Sequence, residues 1–502
     1  MANALARERS RDVWSYVTSK GLDVDVGKLF LEAAARHGDA VALASETGPL
    51  FSYAELATRV RARAGELEKE HADGTRVVLV DDHGADFWVH LLGAFAAGIE
   101  AVCLRDGMSV PDEELLRAES PAAGVAMYTA TSGTSGEAKI SGISSRKLAA
   151  SASTRNFFLT DLVDGQAVVC GHLSAGHSFA PHIFMATMWA GGCWVLAPPA
   201  GPGPFEFVAR GLANVVPFAC GTMFDRLASG AATLGDGGDE QQRVLLMGNG
   251  LSPHAYSWLP AHWTVVSHYG STEAPLVVHG DGAPQVDFMC VNAGGSSAEL
   301  VADGWLPSAD FAASFRQLAC EADGAGEILW RIQRADAFVG YLANAALSAA
   351  VVEVGEDGGG DRWYRPGDVV SYDSASGLLR FVDRAGDARQ VGTRAVSARR
   401  LQAALLDAFV AAHRRFPPKF VVIPSVRASD AVPFLVVVEE HVRGAHATFS
   451  VDMAAAVKKS GVLVDDVLEL LRSTICVAQI PAIAGVGKDD LVSLRALLAR
   501  RE

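Results

Sequence analysis

The chain has 502 residues and a formal net charge of −15 at pH 7, which argues against partners with anionic surfaces. Nucleic acids and anionic membranes both require a cationic protein face, so we expect no nucleic-acid partner. Half of the residues are hydrophobic and a fifth are charged, a balance typical of a folded globular protein. The sequence has no secretory pattern at its start and no long apolar run, so we expect no membrane insertion and a cytoplasmic location.

Short apolar runs alternate with helical patterns through the first three quarters of the chain. The runs that predict strands lie at 76–83, 166–170, 193–198, 244–250 and 263–270. Residues 86–104 predict a helix that stops at Gly98, followed by a further strand. This alternation indicates an α/β fold: a large N-terminal domain of mixed, mostly parallel sheets flanked by helices. Ligands of such sheets bind beyond the carboxyl ends of the strands.

The pattern changes after residue 385. Two helices are predicted at 401–416 and 464–475, and two strands at 419–424 and 434–441. This combination indicates a small, mobile α+β C-terminal domain. We therefore predict an N-terminal domain over residues 1–384 and a C-terminal domain over residues 385–502.

The strongest local signal is the segment TSGTSGEAK, which begins at Thr131. Glycines let the backbone approach phosphate oxygens, hydroxyls donate hydrogen bonds, and a lysine adds a positive charge. The candidate phosphate-binding residues are Thr131, Ser132, Gly133, Thr134, Ser135, Gly136 and Lys139. The Walker pattern is not matched. By composition alone, a solvated Ser/Gly linker is the alternative interpretation.

Further motifs accompany this segment in a fixed order. They are HYGSTE (268–273), YRPGD (364–368), DRAGD (383–387) and the pair Gly487-Lys488, with a weaker match at Gly340-Tyr341. Together the motifs resemble those of the adenylate-forming superfamily, which includes acyl- and aryl-CoA synthetases and the adenylation domains of nonribosomal peptide synthetases. The resemblance implies ATP-dependent activation of a small carboxylic acid as acyl-AMP, with release of pyrophosphate. It also implies transfer of the acyl group to the phosphopantetheine thiol of CoA or of a separate acyl or peptidyl carrier protein.

The resemblance also implies how the nucleotide is bound. Asp368 and Arg384 would contact the ribose hydroxyls, and Tyr269 would stack on adenine. The segment Gly248, Asn249 and Gly250 would pass its backbone beside the same base. Each of these residues also has a plainly structural interpretation, such as a core aromatic or a turn former.

Three residues are implied in catalysis. Thr272 would donate a hydrogen bond to the α-phosphate, and Glu273 would bind Mg²⁺, which prefers carboxylate oxygen ligands. Lys488 would be the catalytic cation that bridges the substrate carboxylate and the α-phosphate. Gly386 and Asp387 fall at the hinge between the domains, where this chain is one residue shorter than the family motif. The segment between Leu104 and Thr131 is also shorter than in relatives.

The acid pocket is expected just after the strand at 166–170. Its candidate residues are His177, Ser178, Phe179 and His182, joined by Phe218 and Met223 from the next pocket segment. Amino-acid-activating relatives carry an aspartate where this chain has Ser178, and no acidic residue lies between Gly171 and Trp189. Because a buried ammonium without a partner is costly, we predict a substrate without an α-ammonium group. An aryl acid is the leading class, and a medium-chain or branched acyl acid is the second.

Two classes of function remain open from the sequence. The first is the two-step ligase, and the second is a non-catalytic relative that only binds nucleotide. The chain retains Lys139, Glu273, Asp368 and Lys488 together. This combination favours the ligase, because a nucleotide-binding protein has no need of Lys488.

Overall fold

The structure is a computed structural model without ligands, and it describes the larger part of the N-terminal half of the chain and selected elements thereafter. The described residues are 24–121, 123–131, 139–149, 168–171, 173–196, 215–220, 243–247, 264–268, 272–273, 276–278, 284–286, 289–293, 300–301, 315–317, 325–332, 338–354, 362–373, 378–384, 388–391, 394–398, 401–402, 405–406, 409, 420–424, 434–439, 475–477 and 494. Among the helices within these ranges, none is both long and apolar enough to cross a membrane.

Helices and strands alternate along the chain. The described helices are α1 (Val26–His37), α2 (Tyr53–Glu70), α3 (Ala85–Ala97), α4 (Glu113–Arg117), α5 (Phe179–Ala190) and α6 (Ala345–Ala350). The first strands are β1 (Val41–Ser45), β2 (Gly48–Ser52), β3 (Val77–Val80), β4 (Ala101–Leu104), β5 (Val125–Ala130), β6 (Ile140–Ser144), β7 (Val168–Gly171), β8 (Cys193–Leu196), β9 (Val215–Cys220), β10 (Arg243–Met247) and β11 (Thr264–His268). The later strands are β12 (Leu276–Val278), β13 (Pro284–Val286), β14 (Met289–Ala293), β15 (Leu300–Val301), β16 (Phe315–Gln317), β17 (Ala325–Ile332), β18 (Val352–Val354), β19 (Arg362–Tyr364), β20 (Asp368–Asp373), β21 (Leu378–Arg384), β22 (Ala388–Val391), β23 (Arg394–Ser397), β24 (Phe420–Pro424), β25 (Phe434–Glu439) and β26 (Ile475–Val477).

Two sheets with parallel cores dominate the N-terminal part. The larger has the order β14-β11-β10-β9-β7-β8-β1-β2, in which the two edge strands run antiparallel to the parallel strands between them. The smaller has the order β3-β4-β5-β6, with β6 antiparallel. The predicted α/β class with mixed, mostly parallel sheets is thus confirmed.

The later sheets are mainly antiparallel. One has the order β15-β21-β20-β17-β19-β18, with β16 also paired to β17. Farther on, β22 pairs with β23, and β24-β25-β26 form a separate three-stranded sheet. Both strands predicted in this last region are present as β24 and β25. Ile475, predicted to end a helix, instead begins β26, because it pairs in parallel with Val437 of β25.

Local sequence explains the helices α2 and α3, which pack against each other. Ser52 and Glu55 form a reciprocal capping box that starts α2, and its apolar face is buried. Helix α3 ends at Gly98, which adopts a left-handed conformation with φ 68°, as the sequence predicts. Both helices therefore begin or end where short-range signals place them.

An aromatic cluster joins α3, α5 and β8. The ring of Trp88 stacks on Phe184 with a centroid distance of 3.9 Å, and its edge meets Trp194 at 5.4 Å. All three residues are buried. Aromatic contacts of this kind contribute beyond their buried area. The cluster packs α5 against α3 and β8. The predicted pocket residues His177 and Ser178 directly precede α5.

The connection from β4 to β5 contains α4 as its one described helix. Arg76 forms hydrogen bonds to this connection and to Glu100, just before β4. The Arg76 Nε donates to Glu100 at 2.7 Å, and Nη1 donates to the carbonyl oxygens of Leu116 and Ala118. The guanidinium also lies over the ring of Tyr128. This buried cation thus organises a connection that the sequence marked as short.

Candidate functional site

Thr131 and Lys139 close the base of the predicted phosphate loop. The backbone N–H of the buried Thr131 donates to the carbonyl oxygen of Lys139 at 2.7 Å. This bond continues the antiparallel pairing in which Ala130 lies opposite Ile140. The loop between them (Ser132, Gly133, Thr134, Ser135 and Gly136) lies outside the described residues. The pairing fixes where the chain leaves and re-enters the sheet, at the carboxyl end of β5.

The predicted acid pocket begins in residues 173–178, which we call the pocket loop. Gly176 packs against the end of β4 so closely that a Cβ atom would lie 2.5 Å from the carbonyl atoms of Leu104. The hydroxyl of Thr129, on β5, donates to the carbonyl oxygen of Gly176. The pocket loop therefore contacts both β4 and β5, and β5 leads into the phosphate loop.

His177 is buried and its ring is oriented by the backbone. Its own N–H donates to the carbonyl oxygen of Ser174 at 2.9 Å. The Nδ1 atom accepts the N–H of Phe179 at 3.3 Å. In a neutral ring this bond favours the tautomer with the proton on Nε2.

The other predicted pocket residues are partly described. Phe179 and His182 are buried in the first turns of α5, three positions apart and so on one face of the helix. Phe179 packs into the main hydrophobic core. Phe218 lies in β9, where its backbone pairs with Gly171 of β7. Met223 lies outside the described residues.

Ser178 joins the pocket loop to the predicted catalytic segment. Its Oγ lies 3.0 Å from Oγ1 of Thr272, within hydrogen-bonding distance. Ser178 is buried, and Glu273 beside Thr272 is also buried. The structure thus brings together residues that are predicted separately, as acid pocket and as phosphate and metal ligands.

Lys147 binds the backbone of the same segment, and the sequence motifs did not single it out. The buried Nζ donates to the carbonyl oxygen of Glu273 at 2.6 Å and to that of Thr272 at 3.3 Å. Hydrogen bonds from a charged donor are stronger than neutral ones, particularly away from water. Lys147 and its acceptors are far apart in sequence, so no local pattern indicates the contact.

Tyr341 links Glu273 to the phosphate loop. Its hydroxyl donates to Oε1 of Glu273 at 2.7 Å, and the Nζ of Lys139 lies 5.4 Å from the centroid of its ring. Burial, and secondarily the charge of Glu273, raises the pKa of Tyr341 well above its usual value. The hydroxyl therefore stays protonated at neutral pH and remains a donor to the carboxylate.

Asp368 and Arg384, predicted to bind the same sugar, form an ion pair. The Nε of Arg384 lies 2.9 Å from Oδ1 of the buried Asp368, and its Nη1 donates to the carbonyl oxygen of Pro366 at 2.8 Å. The two residues lie opposite each other in the β20–β21 pairing. Gly367 precedes β20 with φ 73°, a conformation that favours glycine. The arginine thus fixes the orientation of the carboxylate.

Several predicted residues lie outside the described ones. They are Gly248, Asn249, Gly250, Tyr269, Gly386, Asp387 and Lys488. The strands that precede the two adenine segments are described, and Met247 at the end of β10 lies opposite His268 at the end of β11. These strand ends are neighbours at the carboxyl edge of the larger sheet.

Known proteins resemble this chain in a sequence profile and in fold. A sequence profile of the family described as AMP-binding enzyme matches residues 109–294. No curated protein matches the sequence significantly. Among solved structures, Klebsiella oxytoca NpsA in complex with 3-hydroxyanthranilyl-AMSN aligns with a TM-score of 0.64 at 16% identity, covering 95% of this chain and 99% of its own.

Two further solved structures share the fold. Amide bond synthetase McbA from Marinactinospora thermotolerans aligns with a TM-score of 0.60 at 18% identity, covering 93% of this chain and 99% of its own. ATP-bound MatB from Rhodopseudomonas palustris aligns with a TM-score of 0.64 at 15% identity, covering 94% and 99%. At these identities the likeness shows the fold alone. The AMP-binding profile over residues 109–294 and the shared fold of nearly the whole chain bear out the predicted resemblance to the adenylate-forming superfamily.

Proposed function

We propose that this chain uses ATP to convert a carboxylic acid to acyl-AMP and then transfers the acyl group to a phosphopantetheine thiol. The observation that carries the proposal is the set of contacts around Glu273. Ser178 of the pocket loop meets Thr272, and Tyr341 connects Glu273 to Lys139 of the phosphate loop. An acid in the pocket and a triphosphate on the loop would therefore meet at Thr272.

The first step needs little covalent chemistry from the protein. A carboxylate oxygen attacks the α-phosphorus, and the bond from that phosphorus to the pyrophosphate oxygen breaks. Positioning and stabilisation of the charge carry such a displacement. Thr272 would donate to the α-phosphate, while Lys139 and the loop residues 131–136 would bind the other phosphates. Lys488 would stabilise the charge shared between the carboxylate and the α-phosphate.

Glu273 fits the role of a Mg²⁺ ligand. Magnesium is commonly bound through one or two carboxylates together with substrate phosphates and water. Carboxylates that bind metals are themselves held in place by hydrogen bonds. Here the Tyr341 hydroxyl donates such a bond to the Glu273 carboxylate. A bound Mg²⁺ would supply positive charge to the phosphates, and Tyr341 and Lys147 would keep Glu273 in place for it.

Asp368, oriented by Arg384, would accept hydrogen bonds from the ribose hydroxyls. Adenine would lie between Tyr269 and the Gly248–Gly250 segment, which follow neighbouring strand ends. In the second step, residues 385–502 would rotate about Gly386 and Asp387. That rotation would remove Lys488 and admit the thiol, whose sulfur would bond to the acyl carbon while the bond from that carbon to the AMP oxygen breaks and AMP leaves.

An aryl acid remains the proposed substrate class. The pocket loop and α5 supply no carboxylate that could pair with an α-ammonium, and they do supply buried aromatic and imidazole rings. NpsA was solved with 3-hydroxyanthranilyl-AMSN, whose acyl name denotes a hydroxylated aminobenzoyl group. A ring acid with hydroxyl or amino substituents therefore leads, ahead of a medium-chain or branched acid.

The test is a pyrophosphate-exchange screen over aryl, alkyl and amino acids with ATP and Mg²⁺. Acids that exchange are then offered CoA, a phosphopantetheinylated carrier protein and free amines. We expect exchange with aryl acids and acyl transfer to a thiol. No exchange with any acid, in a chain that binds ATP, would favour the non-catalytic relative. Transfer to amines alone would refute the thiol acceptor.

Replacing Asp368 by alanine should raise the KM for ATP about tenfold and leave kcat within about twofold. Ribose contacts are made in ground and transition states alike, so their loss weakens binding uniformly. Steady-state pyrophosphate release measures both constants. Asp39→Ala, at an exposed aspartate, is the control. A fall in kcat with an unchanged KM would show that Asp368 does not bind ground-state ATP.

Replacing Glu273 by alanine should lower kcat about a hundredfold and raise the Mg²⁺ concentration needed for half-maximal rate. Tyr341→Phe should shift the Mg²⁺ dependence in the same direction by a smaller amount, because it removes one hydrogen bond and leaves the carboxylate. Mg²⁺ titrations of pyrophosphate release compare both variants with wild type. An unchanged Mg²⁺ response in Glu273→Ala would refute the metal assignment.

A further inference from the structure

Asp81 carries no role in the motifs, yet it lies directly beneath the pocket loop. It follows β3 and is buried, with only 2% of its surface exposed. Its Oδ2 accepts the N–H of Ala175 at 2.7 Å, and its Oδ1 accepts the N–H of His83 at 2.9 Å. Both oxygens of a buried carboxylate are thus engaged by backbone donors, one of them in the pocket loop.

We propose that Asp81 is a positioning residue that holds the pocket loop and thereby sets Ser178 against Thr272. The role rests on the proposed function, since it concerns the binding of the acid. Ala175 lies three positions before Ser178, and Gly176 between them is packed against β4 without room for a Cβ atom. A loop held this tightly transmits a shift at Ala175 to Ser178.

The turn that follows β3 is arranged around the same carboxylate. His83 has φ 57°, an uncommon conformation for a residue other than glycine. Its Nδ1 lies 3.7 Å from Oδ2 of Asp81. Such a conformation persists where surrounding contacts determine it, and the bond from the His83 N–H to Asp81 is one of these contacts.

The strand register explains how a charged group is accommodated here. The Asp81 N–H donates to the carbonyl oxygen of Leu104, continuing the β3–β4 pairing by one step. The register thus holds the Asp81 carboxylate at the adjoining ends of β3 and β4, where the N–H groups of Ala175 and His83 are its donors. Burial of a carboxylate is costly unless hydrogen bonds of this kind satisfy its oxygens.

The expected effect is confined to the acid side of the site. The contacts of Asp81 lead to Ala175, and the pocket loop leads on to Ser178 and Thr272. The Asp368–Arg384 pair lies on β20 and β21 in a different sheet. Loss of the anchor should therefore weaken acid binding and leave ATP binding unchanged, whereas loss of folded protein would lower kcat without changing either KM.

The experiment compares Asp81→Asn and Asp81→Leu with Asp82→Asn in the full-length protein. Asp82 is the exposed neighbour, and its carboxylate accepts the N–H of Gly84 instead. An asparagine keeps one acceptor oxygen and turns the other into a donor, so it should lose one of the two bonds. We expect the acid KM to rise about tenfold in Asp81→Asn and further in Asp81→Leu, with the ATP KM within about twofold.

Amide hydrogen exchange of peptides that contain Ala175 provides a second measurement, which does not depend on activity. Exchange should accelerate in Asp81→Leu, which removes both acceptor oxygens, and not in Asp82→Asn. Unchanged protection at Ala175 in Asp81→Leu would overturn the proposal, as would equal rises in the acid and ATP KM. If wild type activates no acid, the proposed function fails at that point, and the exchange measurement still decides whether Asp81 anchors the loop.

Discussion

Replacing Lys488 by alanine should reduce acyl-AMP formation by at least about a hundredfold, the effect typical of losing one charge-stabilising group. Thioester formation from pre-made acyl-AMP should stay within about twofold of wild type. The reason is the proposed rotation of the C-terminal domain, which takes this lysine away before the thiol reacts. Single-turnover assays of each half-reaction measure the two effects separately.

Lys459→Ala supplies the control for this experiment, because it removes a lysine from the same domain. It should leave both half-reactions unchanged. Equal losses in both half-reactions of Lys488→Ala would contradict the prediction and give Lys488 another role. A folded Lys488→Ala protein that still forms acyl-AMP at the wild-type rate would do so as well.

Proteinogenic amino acids should be poorer substrates than benzoate or a ring-substituted derivative. An α-ammonium placed in this pocket would find no carboxylate on the pocket loop or on α5. Burying that unpaired charge should cost at least about 3 kcal/mol, or more than about a hundredfold in kcat/KM. Pyrophosphate exchange across both acid classes measures the ratio.

Ser178→Asp should narrow that ratio, because a new buried anion would weaken the binding of aryl acids. The contact with Thr272 makes a control necessary, since any replacement of Ser178 also removes a hydroxyl 3.0 Å from Oγ1 of Thr272. Ser178→Ala removes the hydroxyl without adding charge and should slow both acid classes alike. If wild type prefers an α-amino acid, Ser178 does not occupy the position of the relatives' aspartate. The ammonium partner must then be another carboxylate, such as Asp225.

Features encoded by neighbouring residues could be predicted from the sequence. The apolar runs became β7, β8, β10 and β11, and Gly98 ended α3 in a left-handed conformation because only local backbone geometry decides it. Ile475 shows where this fails. A helical pattern includes it, but pairing with Val437 of β25 places it in a strand, and that partner is distant in sequence.

The candidate site shows the same division. Motifs identified Glu273, Asp368 and Arg384 as candidates, since each belongs to a recognisable short segment. They did not reveal that Lys147 and Tyr341 hold Glu273, because these contacts depend on how separate elements are brought together. The motifs did not identify Asp81 for the same reason. Its partner Ala175 is distant in sequence and lies in the pocket loop, which follows β7 of the larger sheet.

The position of β1 in the larger sheet has a consequence for synthesis on the ribosome. Leu43 of β1 pairs with Trp194 of β8, so the β1–β2 hairpin is translated about 150 residues before its neighbour. The strands β3 to β6, with α2 and α3, need no later segment for their own pairing. We expect this unit to fold early. Until β8 has been translated, the edge of β1 that will pair with it stays unpaired and can pair with strands of other chains. This strand order therefore requires that the free edge of β1 be shielded from other chains during elongation.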